Sequence, residues 1–306
     1  MIETRRLRAL GLEAGSSEGG KPFIAAASGL VHTGHSLCVI ADDALDLAVF
    51  PGEGEAPGRL ARLLAGELSS DHSQRRANKP DFEALTMLPA FDGHPHGALM
   101  ALESGSKDER HYAVVCPLSA EGALAGERRE IELAPLYEEL KGLLPELNVE
   151  GAPVAGERML LMQRGNGPSR ENGVIELSLE RVLAAIAAGS PLGGSALVRI
   201  RRHDLGAVDG VPLCFSDAAP LGDGRLVYSA VAEGEGKGAD GAFGAAVVGL
   251  IEPDGTVSAE QRLEPAAKVE GVEARVRDDG AIELLLVADA DDPDQAAPLL
   301  AATLRA

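Results

Sequence analysis

A short motif recurs along the whole chain of 306 residues: a polar side chain, then a small residue, then an apolar run. Its clearest copies are residues 148–152 (NVEGA) and 268–272 (KVEGV), and each copy is followed by a turn and a second apolar run. The equivalent polar residues of the five copies are Ser28, Glu83, Glu150, Asp217 and Glu270. Repeats of this length are typical of solenoids and propellers.

The spacing of the copies indicates a closed ring. They lie 55, 67, 67 and 53 residues apart, and 64 residues lead from Glu270 through the last residue and on from Met1 to Ser28. The last unit lacks an outer strand, which residues 1–27 supply, and closing the ring removes exposed sheet edges. We therefore predict an all-β fold, a single β-propeller domain over residues 1–306 with five blades, closed by the N-terminal strand. A six-bladed propeller is the alternative.

Two segments depart from the strand pattern. Apolar residues recur at helical spacing in residues 134–144. Residues 179–188 show a similar pattern, so we predict one or two short inserted helices. A glycine-rich hairpin is predicted for residues 234–244, where Lys237 lacks the surroundings of a phosphate-binding loop.

Charge and cysteine content limit the partners. The formal net charge of -20 argues against a nucleic-acid partner and against an anionic membrane surface. The sequence contains no run of 18 apolar residues, the length that a membrane-spanning helix needs. Cys38, Cys116 and Cys214 stand alone in apolar surroundings, typical of reduced thiols, so we expect a cytoplasmic protein, with a monomer as the default.

Propeller geometry predicts where the repeated carboxylates meet. The inner strand of each blade starts at one mouth of the central channel, which places Glu83, Glu150, Asp217 and Glu270 around that opening. The turn after each second strand returns to the same mouth. These turns predict an outer ring of polar residues: Asp42, Ser104, Lys107, Arg164, Asn166, Glu233, Asp289 and Asp291.

Carboxylates gathered in this way raise one another's pKa and need compensation. One solution is a single divalent cation, Ca²⁺ or Mg²⁺, bound by ligands from this set: Glu83, Glu150, Asp217, Glu270 and Asp289. The other is pairing with Arg164, Lys79, Lys268 and backbone N–H groups. A purely structural role is the alternative, in which each carboxylate accepts hydrogen bonds from the neighbouring blade. No organic cofactor is predicted.

The chain also resembles a known group of proteins. Residues 148–152, 164–166, 268–272 and 287–291 are similar to motifs of the phytase-like bacterial propellers, which have esterase-like activity, and of related uncharacterised bacterial propeller families. The resemblance implies a polar mouth that binds an ester or phosphoester. It gives weight to five residues: Glu150, Arg164, Asn166, Glu270 and Asp289. The pattern is lost at Ser28 and Asp217.

These observations predict a metal-assisted hydrolase of phosphate or carboxylic esters. The cation would polarise the ester and activate water, with Glu150 and Glu270 as catalytic residues and either of them as general base. Arg164 would hold an anionic group. The predicted substrate-binding residues are Arg164, Asn166, Lys107 and Ser104. The alternative is a non-catalytic propeller that binds a small molecule or a protein at the same mouth.

Overall fold

The computed structural model describes residues 1–16, 21–69, 71–234 and 243–305 and has five sheets, which are antiparallel except for one short parallel pair at the edge of one sheet. In each sheet, strands that are consecutive in sequence pair with each other, so every sheet is a meander running outward from an inner strand. The five-bladed β-propeller that the sequence predicts is confirmed. The predicted hairpin at 234–244 lies largely outside the described residues.

The blades follow one another along the chain. Blade 1 consists of Ala27–Thr33, Ser36–Ala41, Asp46–Pro51 and Arg59–Arg62. Blade 2 consists of Phe82–Leu88, Ala98–Glu103, Tyr112–Pro117 and Arg129–Glu132. Blade 3 consists of Val149–Gly151 with Val154–Ala155, then Arg158–Gln163, Asn172–Ser178 and Leu197–His203. Blade 4 consists of Ala207–Val208, Val211–Pro220, Leu226–Glu233, Phe243–Ile251 and Val257–Glu264. Blade 5 consists of Lys268–Val276, Ile282–Asp289 and Pro298–Leu304.

The N-terminal residues close the ring, as predicted. Arg5–Ala9 pairs antiparallel with Pro298–Leu304 and becomes the outer strand of blade 5. Ile2–Glu3 adds in parallel to the outer strand of blade 4, Val257–Glu264. Residues 2–9 therefore join blades 4 and 5. The outer strand of blade 5 comes from the N-terminal end of the chain, whereas its other three strands come from the C-terminal end.

Both predicted helices are present, at Ala134–Leu143 and Leu179–Ala188. Their apolar faces pack into the cluster between blades 2 and 3. A third helix, His72–Asn78, was not predicted, because its residues show no apolar periodicity. It starts at Asp71, whose side chain accepts a hydrogen bond from the Gln74 N–H. No helix among the described residues is long and apolar enough to cross a membrane.

The core is divided among the blade interfaces. Five apolar clusters are present, and each lies between two neighbouring blades. Only 3% of the residues are aromatic, so these clusters consist mainly of Val, Leu, Ile and Ala. Small aliphatic side chains suit this arrangement, because the flat faces of adjacent sheets pack closely near the channel.

A β-bulge at the start of every inner strand is the structural form of the repeated motif. The register with the second strand shifts by one residue in each blade, which leaves one residue unpaired. The unpaired residues are Ser28, Glu83, Glu150, Ser216 and Glu270. The equivalence assigned to Asp217 is therefore wrong by one residue. In the sequence Phe-Ser-Asp, the serine takes the position that a carboxylate takes in three other blades.

The small residue after the bulge allows neighbouring inner strands to approach. A Cβ added to Gly271 would lie 2.7 Å from Val287 Cγ2 and 2.9 Å from the backbone of Gly29 in blade 1. The Gly271→Ala variant is therefore expected to lose about 1–3 kcal/mol of unfolding free energy, measured by urea denaturation. Gly142→Ala is the control, because a Cβ there meets no atom within 4 Å. Equal stability of the Gly271 variant and wild type would contradict this account of the motif.

Candidate functional site

A cavity of about 440 Å³ opens at the end of the channel where the inner strands begin. We call it the mouth cavity. Seven carboxyl side chains line it: Asp42, Asp81, Glu83, Glu150, Glu233, Glu270 and Asp289. Five basic side chains also line it: Lys79, Lys107, Arg110, Arg164 and Lys268. With every group ionised, seven negative and five positive charges leave a formal charge of two negative.

The structure brings most of the predicted site residues together. Those that line the mouth cavity are Glu83, Glu150, Glu270, Asp289, Arg164, Asn166 and Lys107. Ser104 and Asp217 do not line it. Ser104 is fully buried behind the wall, where its hydroxyl donates to Asp81 Oδ2 at 2.6 Å.

Asp217 lies at the interface between blades instead of at the mouth cavity. Its carboxylate accepts hydrogen bonds from the backbone N–H of Val272 in blade 5, at 2.8 Å, and of Ala218, at 2.7 Å. Burial raises its pKa well above the usual range. This arrangement matches the structural alternative, in which a carboxylate joins neighbouring blades.

Arg164 links three carboxyl groups from three blades. It follows the strand Arg158–Gln163 and is only 8% exposed. Its Nη1 lies 3.1 Å from Glu150 Oε1 and 3.8 Å from Glu270 Oε2, and its Nη2 lies 2.6 Å from Glu233 Oε2. Although burial by itself favours the neutral form, these carboxylates raise the pKa of Arg164 well above its usual value. The guanidinium therefore stays charged and sets the positions of the acids.

Lys268 provides a second positive centre beside Arg164. Its Nζ lies 3.5 Å from Glu270 and 3.3 Å from Asp289, with Glu233 and Asp291 at 3.7 and 3.4 Å. Burial disfavours the ammonium, but the surrounding carboxylates raise its pKa. Glu233 and Glu270 thus contact both Arg164 and Lys268.

Glu150 and Glu270 occupy equivalent bulges but unequal surroundings. Glu150 Oε1 accepts hydrogen bonds from Asn148 Nδ2 at 2.6 Å and from Arg164. Glu270 Oε2 is buried and has no hydrogen-bond donor among the described residues. Burial raises the pKa of both carboxyl groups, for Glu270 to about 8, while Arg164 opposes the shift in both. Burial thus favours the protonated form of both groups, and Glu150 has hydrogen-bond donors for its charged form where Glu270 Oε2 has none among the described residues.

A second cluster, centred on Asp81, was not predicted as part of the site. Asp81 is 4% exposed and has a φ of 62°, in the left-handed region. Its Oδ2 accepts hydrogen bonds from Ser104, Ser106 and Arg110, and its Oδ1 lies 2.8 Å from Lys79 Nζ. Burial alone would raise the pKa of Asp81, but Lys79, Ser104 and Arg110 together lower it. The sequence signal that points to this cluster is the segment 79–81 directly before an inner strand.

The metal-ligating potential of the mouth lies in this second cluster. One ligand oxygen from each of Asp42, Asp81 and Glu83 lies within 4.8 Å of the others, so the three could hold a metal ion. Of the predicted metal ligands, only Glu83 belongs to this group. However, Lys79 Nζ already binds Asp42 and Asp81, and Arg110 and two hydroxyls occupy the other oxygen of Asp81. A metal ion would fit only after Lys79 had moved away.

Glu83 differs from the other acids of the mouth cavity. In the described part of the chain, no side chain or backbone N–H donates a hydrogen bond to it. Burial raises its pKa well above the usual range, and the nearby charges of Glu150, Asp42 and Asp81 add to the shift, while Lys79 opposes it. Glu83 is therefore an acid facing the cavity that the nearby charge of Lys79 compensates in part, without a hydrogen bond.

The fold is shared with known propeller structures. Glutaminyl cyclase from Myxococcus xanthus matches with a TM-score of 0.51 and 13% identity, over 99% of this chain and 97% of that one. An endo-arabinase from Bacteroides thetaiotaomicron matches with a TM-score of 0.48 and 10% identity, over 99% and 98%. A mannose phosphorylase from Leishmania mexicana, MPT-4, has a TM-score of 0.49 and 10% identity, over 97% and 88%. At 13% identity, the match to glutaminyl cyclase establishes similarity of fold alone.

The sequence comparisons identify a family. No curated protein matches this chain in sequence. The model of a family of unknown function, DUF6929, matches residues 23–304, nearly the whole propeller. The match supports a propeller family but does not show the phytase-like group whose short motifs the chain resembles. The chain belongs to DUF6929, a family of β-propeller proteins whose function is unknown.

Proposed function

We propose that the mouth cavity is the active site of a hydrolase that cleaves small, polar carboxylic esters by general acid–base catalysis. The observation that carries the proposal is the unequal pair Glu150 and Glu270, which both lie within 4 Å of Arg164 Nη1. Two carboxyl groups whose surroundings separate their proton affinities are suited to act as base and acid. The proposal is supported by the fold's similarity to glutaminyl cyclase, an enzyme.

The proposed reaction uses the two carboxyl groups in different protonation states. Glu150, charged and held by Asn148 and Arg164, takes a proton from water as the water oxygen bonds to the ester carbonyl carbon. Glu270 gives its proton to the alcohol oxygen as the carbon–oxygen ester bond breaks. The products are a carboxylic acid and an alcohol, and a proton passing from Glu150 back to Glu270 restores the starting state.

The remaining polar side chains have distinct proposed roles. Asn166 and Lys107 are exposed at the rim and make no side-chain hydrogen bond to another described residue, so they are the groups we assign to substrate binding. Arg164 contacts three acids and acts as a positioning residue, and Ser104 supports Asp81 from behind.

The phosphoester and metal-assisted form of the hypothesis has less support. A phosphate group would enter a cavity with more carboxyl groups than basic groups, and the basic groups are largely paired with those acids. A Ca²⁺ or Mg²⁺ ion at Asp42, Asp81 and Glu83 would have to displace the Lys79 ammonium. The proposed mechanism therefore contains no step that passes through a metal ion.

Non-catalytic binding at the same mouth is the second candidate. It is favoured by the extent of internal pairing, since Arg164 and Lys268 each contact three or more carboxylates and leave those acids less free to exchange protons. In both cases the partner we propose is a small molecule, bound by a monomer. The buried free thiols of Cys38, Cys116 and Cys214 fit our proposal of a cytoplasmic location.

Hydrolysis of p-nitrophenyl acetate and p-nitrophenyl phosphate, with and without EDTA, tests the proposal. We expect the acetate to be cleaved, in a reaction that EDTA does not inhibit, and kcat to fall by roughly 10²-fold or more in Glu150→Gln and in Glu270→Gln. Glu53→Gln, an exposed change at the other end of the propeller, is the control. Cleavage of the phosphate that depends on a divalent ion would instead favour the metal-assisted form. If the folded protein cleaves neither ester and no member of a wider ester panel, the result would favour the non-catalytic binding protein.

A further inference from the structure

Two buried amide side chains hold the backbone of the segment that brings Arg164 and Asn166 to the mouth cavity. Gln163 is 2% exposed, and Asn172 is 4% exposed. Gln163 Nε2 donates a hydrogen bond to the carbonyl oxygen of Arg164 at 2.8 Å. The N–H of the next residue, Gly165, donates to Asn172 Oδ1 at 2.9 Å. The peptide group that follows Arg164 is therefore bonded on both sides, by two different side chains.

Gln163 also links this peptide group to the segment that carries Glu150. Its Oε1 accepts a hydrogen bond from the N–H of Asn148 at 2.8 Å, and its Nε2 donates to the carbonyl of Glu146 at 3.1 Å. The side chain of Asn148 in turn donates to Glu150. One amide group thus makes three hydrogen bonds, which fix the backbone of Arg164 relative to the strand that carries Glu150.

Asn172 links the same peptide group to the next blade. Its Oδ1 accepts a second hydrogen bond, from the Phe215 N–H at 3.1 Å, and its Nδ2 donates to the Leu213 carbonyl at 2.8 Å. Both partners lie in the inner strand of blade 4, Val211–Pro220. A Cβ added to Gly165 would lie 2.7 Å from the backbone nitrogen of Asn172, so the two stretches of backbone are in close contact.

Both positions need a side chain that donates and accepts hydrogen bonds at the same time. Each amide binds backbone N–H and C=O groups together, which neither an ionised carboxylate nor an apolar side chain can do. Without the amides, these buried backbone groups would lose their partners, which costs free energy and favours movement of the segment. Arg164 Nη1 lies 3.1 Å from Glu150 and its Nη2 lies 2.6 Å from Glu233, so a displacement of about 1 Å would break either contact.

We propose that Gln163 and Asn172 are positioning residues for the reaction: they fix the backbone of Arg164, and through it the guanidinium that holds the carboxyl groups in place. Neither amide lines the mouth cavity in the described structure, so each acts through Arg164 and not by contact with a substrate. The inference rests on the proposed function and deepens it, because it names the residues that preorganise the acid and the base.

The first test observes the Arg164 guanidinium by NMR in protein labelled with ¹⁵N-arginine, with the signals assigned by Arg164→Lys. Because both terminal nitrogens donate to carboxylates, we expect hindered rotation and separate Nη signals in wild type. Gln163→Met and Asn172→Leu keep similar volumes without the hydrogen bonds, and we expect averaged Nη signals in both. Asn172→Asp keeps an oxygen acceptor for the Gly165 N–H and is expected to restore the separate signals.

The second test measures ester cleavage by the same variants. We expect kcat to fall by roughly 10–10²-fold in Gln163→Met and in Asn172→Leu, because small displacements of catalytic groups have effects of this size. KM is expected to change little, since neither amide touches the substrate. Tyr228→Phe is the control for a general loss of stability. It removes a hydrogen bond to Glu260, away from the mouth cavity, and is expected to leave the Nη signals and kcat as in wild type.

The inference is overturned if wild type and both amide variants give the same Arg164 signals, or if Tyr228→Phe changes them as the amide variants do. Averaged signals together with an unchanged kcat would also overturn it. Thermal unfolding checks that each variant is folded, and if one amide variant is not, the other one decides. Averaged signals in variants of a protein that cleaves no ester would reject only the hydrolase. Unchanged signals in a protein that cleaves the ester would reject only the positioning role.

Discussion

Replacement of Arg164 by methionine is expected to lower the free energy of unfolding by about 3 kcal/mol or more at neutral pH. Arg164 is 8% exposed and contacts Glu150, Glu233 and Glu270. Methionine keeps the apolar stem but leaves buried carboxyl groups without their shared positive charge. The loss is expected to shrink as pH falls, because protonation of Glu150 and Glu270 removes the uncompensated charge. Urea denaturation over a pH series measures both effects.

Two controls separate this effect from the loss of any arginine. Arg275→Met removes an exposed pair with Glu283, which is expected to cost at most about 1 kcal/mol. Arg164→Lys keeps a positive charge and is expected to recover part of the stability. If Arg164→Met were as stable as Arg275→Met across the pH series, the guanidinium would not be neutralising the acids around it.

The same contacts decide how an Arg164 variant is interpreted in an assay. A residue whose only role was to bind an anionic substrate could be replaced without changing the melting temperature of the protein. Arg164 instead has both of its terminal nitrogens committed to carboxylates. Loss of activity in an Arg164 variant could therefore come from movement of Glu150, Glu233 and Glu270 as much as from a lost contact with substrate. Variants of Glu150 and Glu270 test the proposed reaction more directly.

Much of the site could be predicted from the sequence because one local feature is repeated. Each inner strand begins with a bulge followed by a small residue, so Glu83, Glu150 and Glu270 could be recognised without coordinates. Arg164 was found for a related reason, since the second strand of every blade returns to the same mouth. Ring closure was also predictable, because blade 5 lacks its outer strand and residues 5–9 have the matching pattern.

Other parts of the site depend on information that the repeat does not carry. Ser216 and Asp217 are adjacent and both polar, and only the pairing of the strands shows that Ser216 is the bulged residue. Lys79 and Arg110 come from connections between strands and lie outside the repeated motif. The sequence left two solutions open for these acids, a metal ion or pairing within the protein, and the structure supplies much of the positive charge from its own lysines and arginines.

Replacement of Glu270 by glutamine is expected to stabilise the protein at alkaline pH. Burial raises the pKa of Glu270 from the ordinary 4.5 of a glutamate to about 8 in the folded state. A raised pKa means that the protonated group contributes stability that is fully present below about pH 4.5 and is lost as pH rises through 8. Glutamine is neutral at every pH and avoids that loss. The variant is therefore expected to match wild type in acid and to exceed it by on the order of 4 kcal/mol above pH 8.

Urea denaturation of wild type, Glu270→Gln and Glu53→Gln across this pH range tests the expectation. A constant difference between Glu270→Gln and wild type would show that Glu270 titrates normally, and it would remove the basis for its role as general acid. The opposite trend, a variant that loses stability as pH rises, would mean that Arg164 and Lys268 hold Glu270 ionised. The expected result has a functional meaning. A single isosteric change that stabilises the fold while abolishing catalysis or ligand binding would show that the protein keeps a costly buried carboxyl group for the use of the mouth cavity.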